Sequence, residues 1–448
     1  MRRLAFILVP VMLAAAGLAA CAPIRSVSIV ASWTTGDDGA TGEEAERLRR
    51  DSEAGPFLSV LDAFTKETGI TYDYKGTRDV SQVLRAGVDR GRPPDVAVLP
   101  RLNDLQTYVQ SDELHTLDDV LAPALADIAP QLLRLRGPQD PGERVYGLSI
   151  AVHAKSLVWY ASGSPAAPSP ANPPTTWAEL IGLTRDIQGR GGVPWCLGMA
   201  APPLSGWPGT DWIEDILLHR SGYAVYQSWA AGALPWRSAQ VRAAWQAWGE
   251  LVGSGRHTGN TLLTNFDVAG LGMFTSPPTC FLDHQASFLV RSYKQAQKPP
   301  AGLDFFPFPP FEPTAARPAR EISEDVMGMF RDTPEARELI RYLAGEPARQ
   351  VWREASGHLA FTLNANAYPT RYPEGLPRRI AQTLTGGTLC RDASDMMPAT
   401  MTTAFQSAAM QYLDDPGLLD KLLTELDTVR TRTPKDKWLT LSCLHARR

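Results

Sequence analysis

Val27-Ser28-Ile29-Val30-Ala31-Ser32-Trp33 opens the folded part of the chain, and the residues around it decide the fold. The run is apolar and β-branched, so it reads as a buried strand. A stretch rich in Asp, Glu and Arg follows, from Asp37 to Glu53. Phe57, Leu58, Leu61 and Phe64 then mark one face of a helix that Gly69 closes. Ile70 to Tyr74 reads as a second strand. Asp79 is placed to cap a helix carrying Val83, Leu84 and Val88. Asp95-Val96-Ala97-Val98-Leu99 is a third short, buried strand. Strand, helix, strand, helix, strand is the order of an α/β lobe with a mostly parallel sheet. In such a sheet a ligand site lies beyond the carboxyl ends of the strands.

At 448 residues the chain is too long for one ordinary core and suits two lobes. After a polar, Pro-containing stretch at Gly137–Gly142, Tyr146–Ile150 and Leu157–Tyr160 read as strands that cross to a second lobe. That lobe is helix-rich. Thr176-Trp177-Ala178-Glu179 is a capping box, and Asp211 with Glu214 has the same spacing at the start of a helix running to Arg220. Ser238 opens a helix whose Val241, Trp245, Trp248 and Leu251 share a core-facing stripe. Phe281–Val290 and Phe305–Phe308 read as later strands, Thr333-Pro334 starts a helix ending at Gly345, and the tail from Pro398 is helical. Pro165–Pro174 reads as an exposed loop.

The first residues are a targeting segment rather than part of the fold. Arg2 and Arg3 precede an uncharged apolar run, Leu4–Ala20, which reads as a secretory signal. It ends Leu18-Ala19-Ala20-Cys21, similar to a bacterial lipobox in which Cys21 is lipidated and anchors the mature chain at a membrane surface. The remaining cysteines, Cys196, Cys280, Cys390 and Cys443, are even in number and sit in an oxidising compartment, which points to two disulfides. Three pairings are possible. Joining nearer neighbours in sequence favours Cys196 with Cys280 and Cys390 with Cys443. The formal net charge of -4 argues against a nucleic-acid partner. No C-x-x-C or H-E-x-x-H spacing occurs, so neither a metal nor a cofactor is expected.

Several ordered segments together resemble the sugar-binding proteins of ABC importers, the extracellular solute-binding proteins of the maltose-binding type, and among them the α-glucoside-binding kind. They are Gly76-Thr77-Arg78-Asp79, Pro93-Pro94-Asp95-Val96-Ala97-Val98-Leu99-Pro100, Lys155-Ser156-Leu157-Val158-Trp159-Tyr160 and Pro194-Trp195-Cys196-Leu197-Gly198. Gly206-Trp207-Pro208-Gly209-Thr210-Asp211-Trp212, Phe305-Phe306-Pro307-Phe308-Pro309 and Asp395-Met396-Met397-Pro398 continue the series. Ser149–Ala154 and Ala360–Ala367 depart from the family pattern. The resemblance implies an α/β, two-lobed periplasmic-binding-protein fold of type II, with discontinuous lobes, a hinge and a ligand cleft between them. The expected organisation is a signal peptide at 1–20, the first lobe at 21–145, the second lobe at 146–303, a return to the first lobe with hinge crossings at 304–365, and a helical second-lobe part at 366–448. The implied protein is a monomer at the extracellular face of the cytoplasmic membrane that hands its sugar to a membrane permease.

Sugars present hydroxyl rims and apolar C–H faces, so their sites combine planar aromatics with fixed carboxylates, amides and guanidinium groups. Trp33 ends the first strand and is either a stacking platform or a core residue. Trp207 lies in a Gly/Pro loop before a helix and is either a platform or a loop plug. Asp211 starts that helix, as its N-cap or as a ligand carboxylate. Arg78 follows the second strand and is either a fork for two sugar hydroxyls or for a carboxylate, or a surface Arg. Gln285 and Phe288 match the family's cleft-lining loop. Asp325 precedes a strand expected to end near the hinge. His153, His219 and His284 read as structural. Two other functions compete: a secreted glycoside hydrolase, which needs a spaced carboxylate pair, and a binder of a peptide or polyamine.

Overall fold

The computed structural model describes residues 25–37, 39–164, 168, 172–252, 260–295, 302–312, 319–363 and 369–445. The expected signal segment 1–20 and Cys21 lie outside the described residues, as do parts of the Pro-rich loop and of Ala360–Ala367. No helix among the described residues is long and apolar enough to cross a membrane.

The three strands of the opening stretch form as expected: β1 (Ser26–Ala31), β2 (Thr71–Gly76) and β3 (Val96–Leu99). β1 pairs in parallel with both, Ile29 lying opposite Tyr74 on one side and Val96 on the other. Helix Gly55–Thr68 buries Phe57, Leu58, Leu61 and Phe64 and stops at Gly69 in the left-handed conformation. Asp79 caps helix Val80–Asp89 by accepting from the Gln82 N–H. Five further strands complete the sheet, two of them long and central. β4 (Leu132–Leu135) edges β5 (Arg144–Ala154), which runs antiparallel to β9 (Arg320–Met329). The far half of β9 pairs with β3, and its first residues pair with β10 (Thr388–Arg391), which β11 (Leu444–His445) borders.

A second, three-stranded sheet has the order β7 (Leu282–His284), β6 (Leu157–Ala161), β8 (Leu303–Pro307). Helix Trp207–Ser221 meets it at β7, where the rings of Trp212 and His284 lie 4.2 Å apart, and helices Ala239–Val252 and Ala399–Asp414 pack on that helix. Trp245 and Trp248 are fully buried there, as their helical stripe required. The capping box at Thr176 and Glu179 is present in full. Both expected disulfides are present, Cys196–Cys280 and Cys390–Cys443.

Two expected boundaries move. β5 belongs to the large sheet, so the chain leaves the first lobe at Lys155-Ser156 and not at 146. β8 pairs with β6, so Asp304 is still in the second lobe and the return is made by β9. The reason is that an apolar run reports burial and not which sheet buries it. Phe281–Val290 also divides, into the short strand β7 and helix Leu289–Gln295.

Among the described residues, three strand ends meet where the chain passes between the lobes. The Lys155 N–H donates to the Glu321 carbonyl, the Glu321 N–H donates to Ser156 Oγ, and the Asp392 N–H donates to the Ile322 carbonyl. The end of β5, the start of β9 and the end of β10 therefore meet side by side and form the hinge.

Candidate functional site

The first-lobe wall of the cleft is built at the carboxyl ends of β1 and β2. These ends lie so close that a Cβ at Gly76 would collide with the Trp33 carbonyl. The Tyr74 hydroxyl donates to that same carbonyl at 2.6 Å. Glu53, two residues before helix Gly55–Thr68, reaches back to this corner. Its Oε2 accepts from the Thr34 N–H at 3.4 Å, and the Arg78 guanidinium spans both carboxylate oxygens at 3.0 and 3.1 Å. Burial pushes the Glu53 carboxyl above its ordinary range; Arg78 opposes the shift and the charge of Asp325 adds to it. Asp325 sits on β9, with Oδ2 2.9 Å from His153 Nε2 on β5.

The second-lobe wall is aromatic. Gly206, at φ 101°, turns the chain so that Trp207 is the first residue of helix Trp207–Ser221, with Pro208 next. The Trp207 ring is half-buried; Phe266 meets it at 4.7 Å and Phe288 at 6.0 Å. Phe288 in turn lies edge-on to His153 at 5.4 Å, which joins this wall to the floor that carries Asp325. At the mouth, Arg291 of helix Leu289–Gln295 crosses to the first lobe. It donates to the carbonyls of Glu53 (3.1 Å), Asp51 (3.4 Å) and Ser52.

The structure thus gathers Arg78, Trp207, Phe288 and Asp325 around one cleft. Trp33 adjoins it through its backbone, while its ring packs in the first-lobe core against Phe57 and Trp352 at 5.1 and 5.5 Å. Asp211 and Gln285 are placed differently from expectation. Asp211 is not an N-cap, because the helix begins four residues earlier; it is buried and accepts from Lys155 Nζ at 2.8 Å. Gln285 is buried at the end of β7, where its carbonyl accepts from Trp159 Nε1 at 2.7 Å.

Lys155 is the centre of a buried charge cluster at the hinge. Its ammonium donates to Asp211 and Asp392 and lies 3.6 Å from Glu321. Burial alone would lower Lys155, but these acids outweigh it and hold the lysine well above its ordinary value. Burial raises Asp211 to about 6 against the pull of Lys155, and it raises Glu214 well above the carboxylate range with help from Asp392. The oxygens of Asp211, Glu214 and Asp392 converge within 4.8 Å, a spacing that would suit a metal ion. The Lys155 ammonium already bonds two of the three, and a fixed cation inside the trio fits a structural charge network better than a metal centre.

Sequence reasoning missed Glu53, His153, Phe266 and Arg291. Glu53 closes the charged stretch that begins at Asp37, and its position immediately before a helix that follows β1 was the available signal. The Trp-Pro pair at 207–208 likewise signalled a helix start.

A two-lobed α/β protein with strands running through a hinge and a cleft lined by aromatics and carboxylates is a solute-binding protein by architecture. The chain belongs to the bacterial extracellular solute-binding protein family, whose model matches residues 50–350. It is 33% identical over 385 residues to the osmoprotective compounds-binding protein GgtB of Synechocystis sp., covering 83% of this chain and 86% of that one. It is 29% identical over 392 residues to the alpha-glucosides-binding periplasmic protein AglE of Rhizobium meliloti, covering 83% of each. In fold it resembles the bacterial solute receptor AcbH, described as having an exclusive preference for β-D-galactopyranose, with a TM-score of 0.72 at 17% identity over 91% of this chain and 97% of that one. A chitin oligosaccharide binding protein aligns with a TM-score of 0.71 at 15% identity, covering 91% and 98%.

Proposed function

We propose that this protein binds an extracellular sugar or oligosaccharide, an α-glucoside in particular, between its lobes and delivers it to the permease of an ABC importer by hinge closure. The observation that carries this reading is the pairing of opposite walls. Trp207, Phe266 and Phe288 offer apolar ring surface for C–H faces, and Glu53, Arg78, Asp325 and His153 offer fixed acceptors and donors for hydroxyls. A ligand that touches both walls favours the closed state that a permease recognises. The curated relatives named for osmoprotective compounds and α-glucosides support a polar, hydroxylated ligand. The chain acts as a monomeric binder and not as an enzyme, and Cys21 carries the lipid that holds it at the extracellular face of the cytoplasmic membrane.

A thermal-shift screen tests the reading. Maltose, trehalose, sucrose, galactose and chitobiose are compared with a polyamine and a short peptide. A ligand at a hundredfold excess over its Kd stabilises the folded state by about 2.7 kcal/mol. A shift with an α-glucoside, largely lost in Trp207→Ala, is the expected result. A shift with the amine or peptide and with no sugar overturns it, and turnover of the sugar would make the protein an enzyme.

A further inference from the structure

Arg291 stands out because it is the side chain at the cleft mouth whose hydrogen bonds all go to the opposite lobe. Its helix, Leu289–Gln295, belongs to the second lobe and buries Leu289, Val290 and Tyr293 beneath it. The guanidinium reaches the carbonyls of Asp51, Ser52 and Glu53 in the first lobe. Those carbonyls follow one another at the end of helix Gly42–Asp51, where the last C=O groups of a helix lack intrahelical partners and carry its negative dipole end. A planar, permanently charged fork suits that cluster better than any other side chain.

The same backbone segment carries Glu53, whose carboxylate is already fixed by Arg78 and by the Thr34 N–H. Arg291 therefore acts on the segment that places the first-lobe acceptor, and it does so across the gap that must open to admit a ligand. We propose that Arg291 is a cross-cleft positioning residue: closing the lobes seats its guanidinium on the carbonyls of 51–53, which holds the mouth shut and sets Glu53 against the bound ligand. This rests on the binding reading above for its ligand but not for its conformational part.

In a two-state opening equilibrium, contacts made only when closed slow ligand release and leave encounter with the open form unchanged. Arg291→Met, which keeps the aliphatic stem and removes every donor, tests this in the full chain together with Arg291→Lys. With maltose or trehalose as probe, Met at 291 is expected to speed dissociation by roughly tenfold to a hundredfold, the range for losing charge-assisted hydrogen bonds. Association should change by less than about twofold, and Lys at 291 should recover part of the loss. The ligand-free melting midpoint should stay as in the parent protein. A wild-type dissociation rate in the Met variant, or equal changes in both rates, overturns the proposal. If no α-glucoside binds the parent protein, small-angle scattering of the ligand-free proteins decides instead. A larger radius of gyration in Arg291→Met upholds the cross-cleft contact while the sugar reading fails; superimposable curves overturn the contact itself.

Discussion

The hinge and the cleft are both rich in acids, yet the two regions use them in opposite ways. At the hinge, Asp211, Asp392 and Glu321 crowd around one lysine, and all four side chains are buried. In the cleft, Glu53 and Asp325 each have a partner of their own, Arg78 and His153. The side chain of Glu53 keeps 35% of its exposure, whereas that of Glu321 keeps none. A carboxylate sealed from solvent is out of a ligand's reach; Glu53 keeps an accessible edge, while Asp325 keeps only 8% of its exposure and is reached through His153. The difference is one of packing, since the residue types are the same.

The most damaging way to test that contrast is to remove the shared cation. Lys155→Met leaves three buried acids without their counter-charge, and breaking a buried pair from one side costs roughly 3–5 kcal/mol. Urea unfolding should show that loss; a midpoint within error of the parent protein would mean that the cluster is not a unit. Asp325→Asn should give the opposite pattern. An amide keeps a hydrogen bond to His153 but weakens acceptance of a sugar hydroxyl, and hydrogen bonds to charged groups are worth about 1.5–3 kcal/mol. Affinity for the sugar that the screen identifies is thus expected to fall by roughly tenfold to a hundredfold, with a change of less than about 1 kcal/mol in urea stability. If instead stability falls and titration calorimetry shows intact affinity, Asp325 belongs with the hinge acids.

Much of the architecture was legible because it rests on local rules. The strands at Val27–Trp33 and Asp95–Leu99, the caps at Asp79, Thr176 and Thr333, and the buried stripe of Trp245 and Trp248 all follow from periodicity and capping chemistry. The site was legible in part, for a physical reason. Arg78, Trp207 and Phe288 sit just past a strand end or at helix starts that open on the cleft, whereas Asp325 lies in the middle of β9, where no end signal marks it. Asp211 has the same chemistry as Glu53, but the helix start at Trp207 buries it over Lys155. Which carboxylate faces a ligand depends on a residue 56 positions away in the chain, and no local pattern carries that information. Strand membership failed likewise: β8 reads as an apolar run whichever sheet receives it.

Glu321 offers the mildest and most specific probe of the hinge. Burial, reinforced by Glu214, pushes its carboxyl well above the ordinary range, with Lys155 pulling the other way. Neither of its oxygens has a hydrogen-bond partner, and Lys155 Nζ stays 3.6 Å away. In the unfolded chain the same group titrates near about 4.3. The folded state therefore holds this proton more tightly than the unfolded state does. The stability tied to it is fully present below about pH 4 and declines as the pH rises above that point. Glu321→Gln removes the titration and keeps the shape. Urea midpoints of the two proteins should converge near pH 4, and the Gln variant should become the more stable of the two as the pH is raised towards 8. Asp211, Glu214 and Asp395 are raised by burial as well, so the variant should flatten the slope without abolishing it. Identical slopes would mean that Glu321 is ionised and adequately compensated in the folded state, and that the hinge acids are paired as well as those of the cleft.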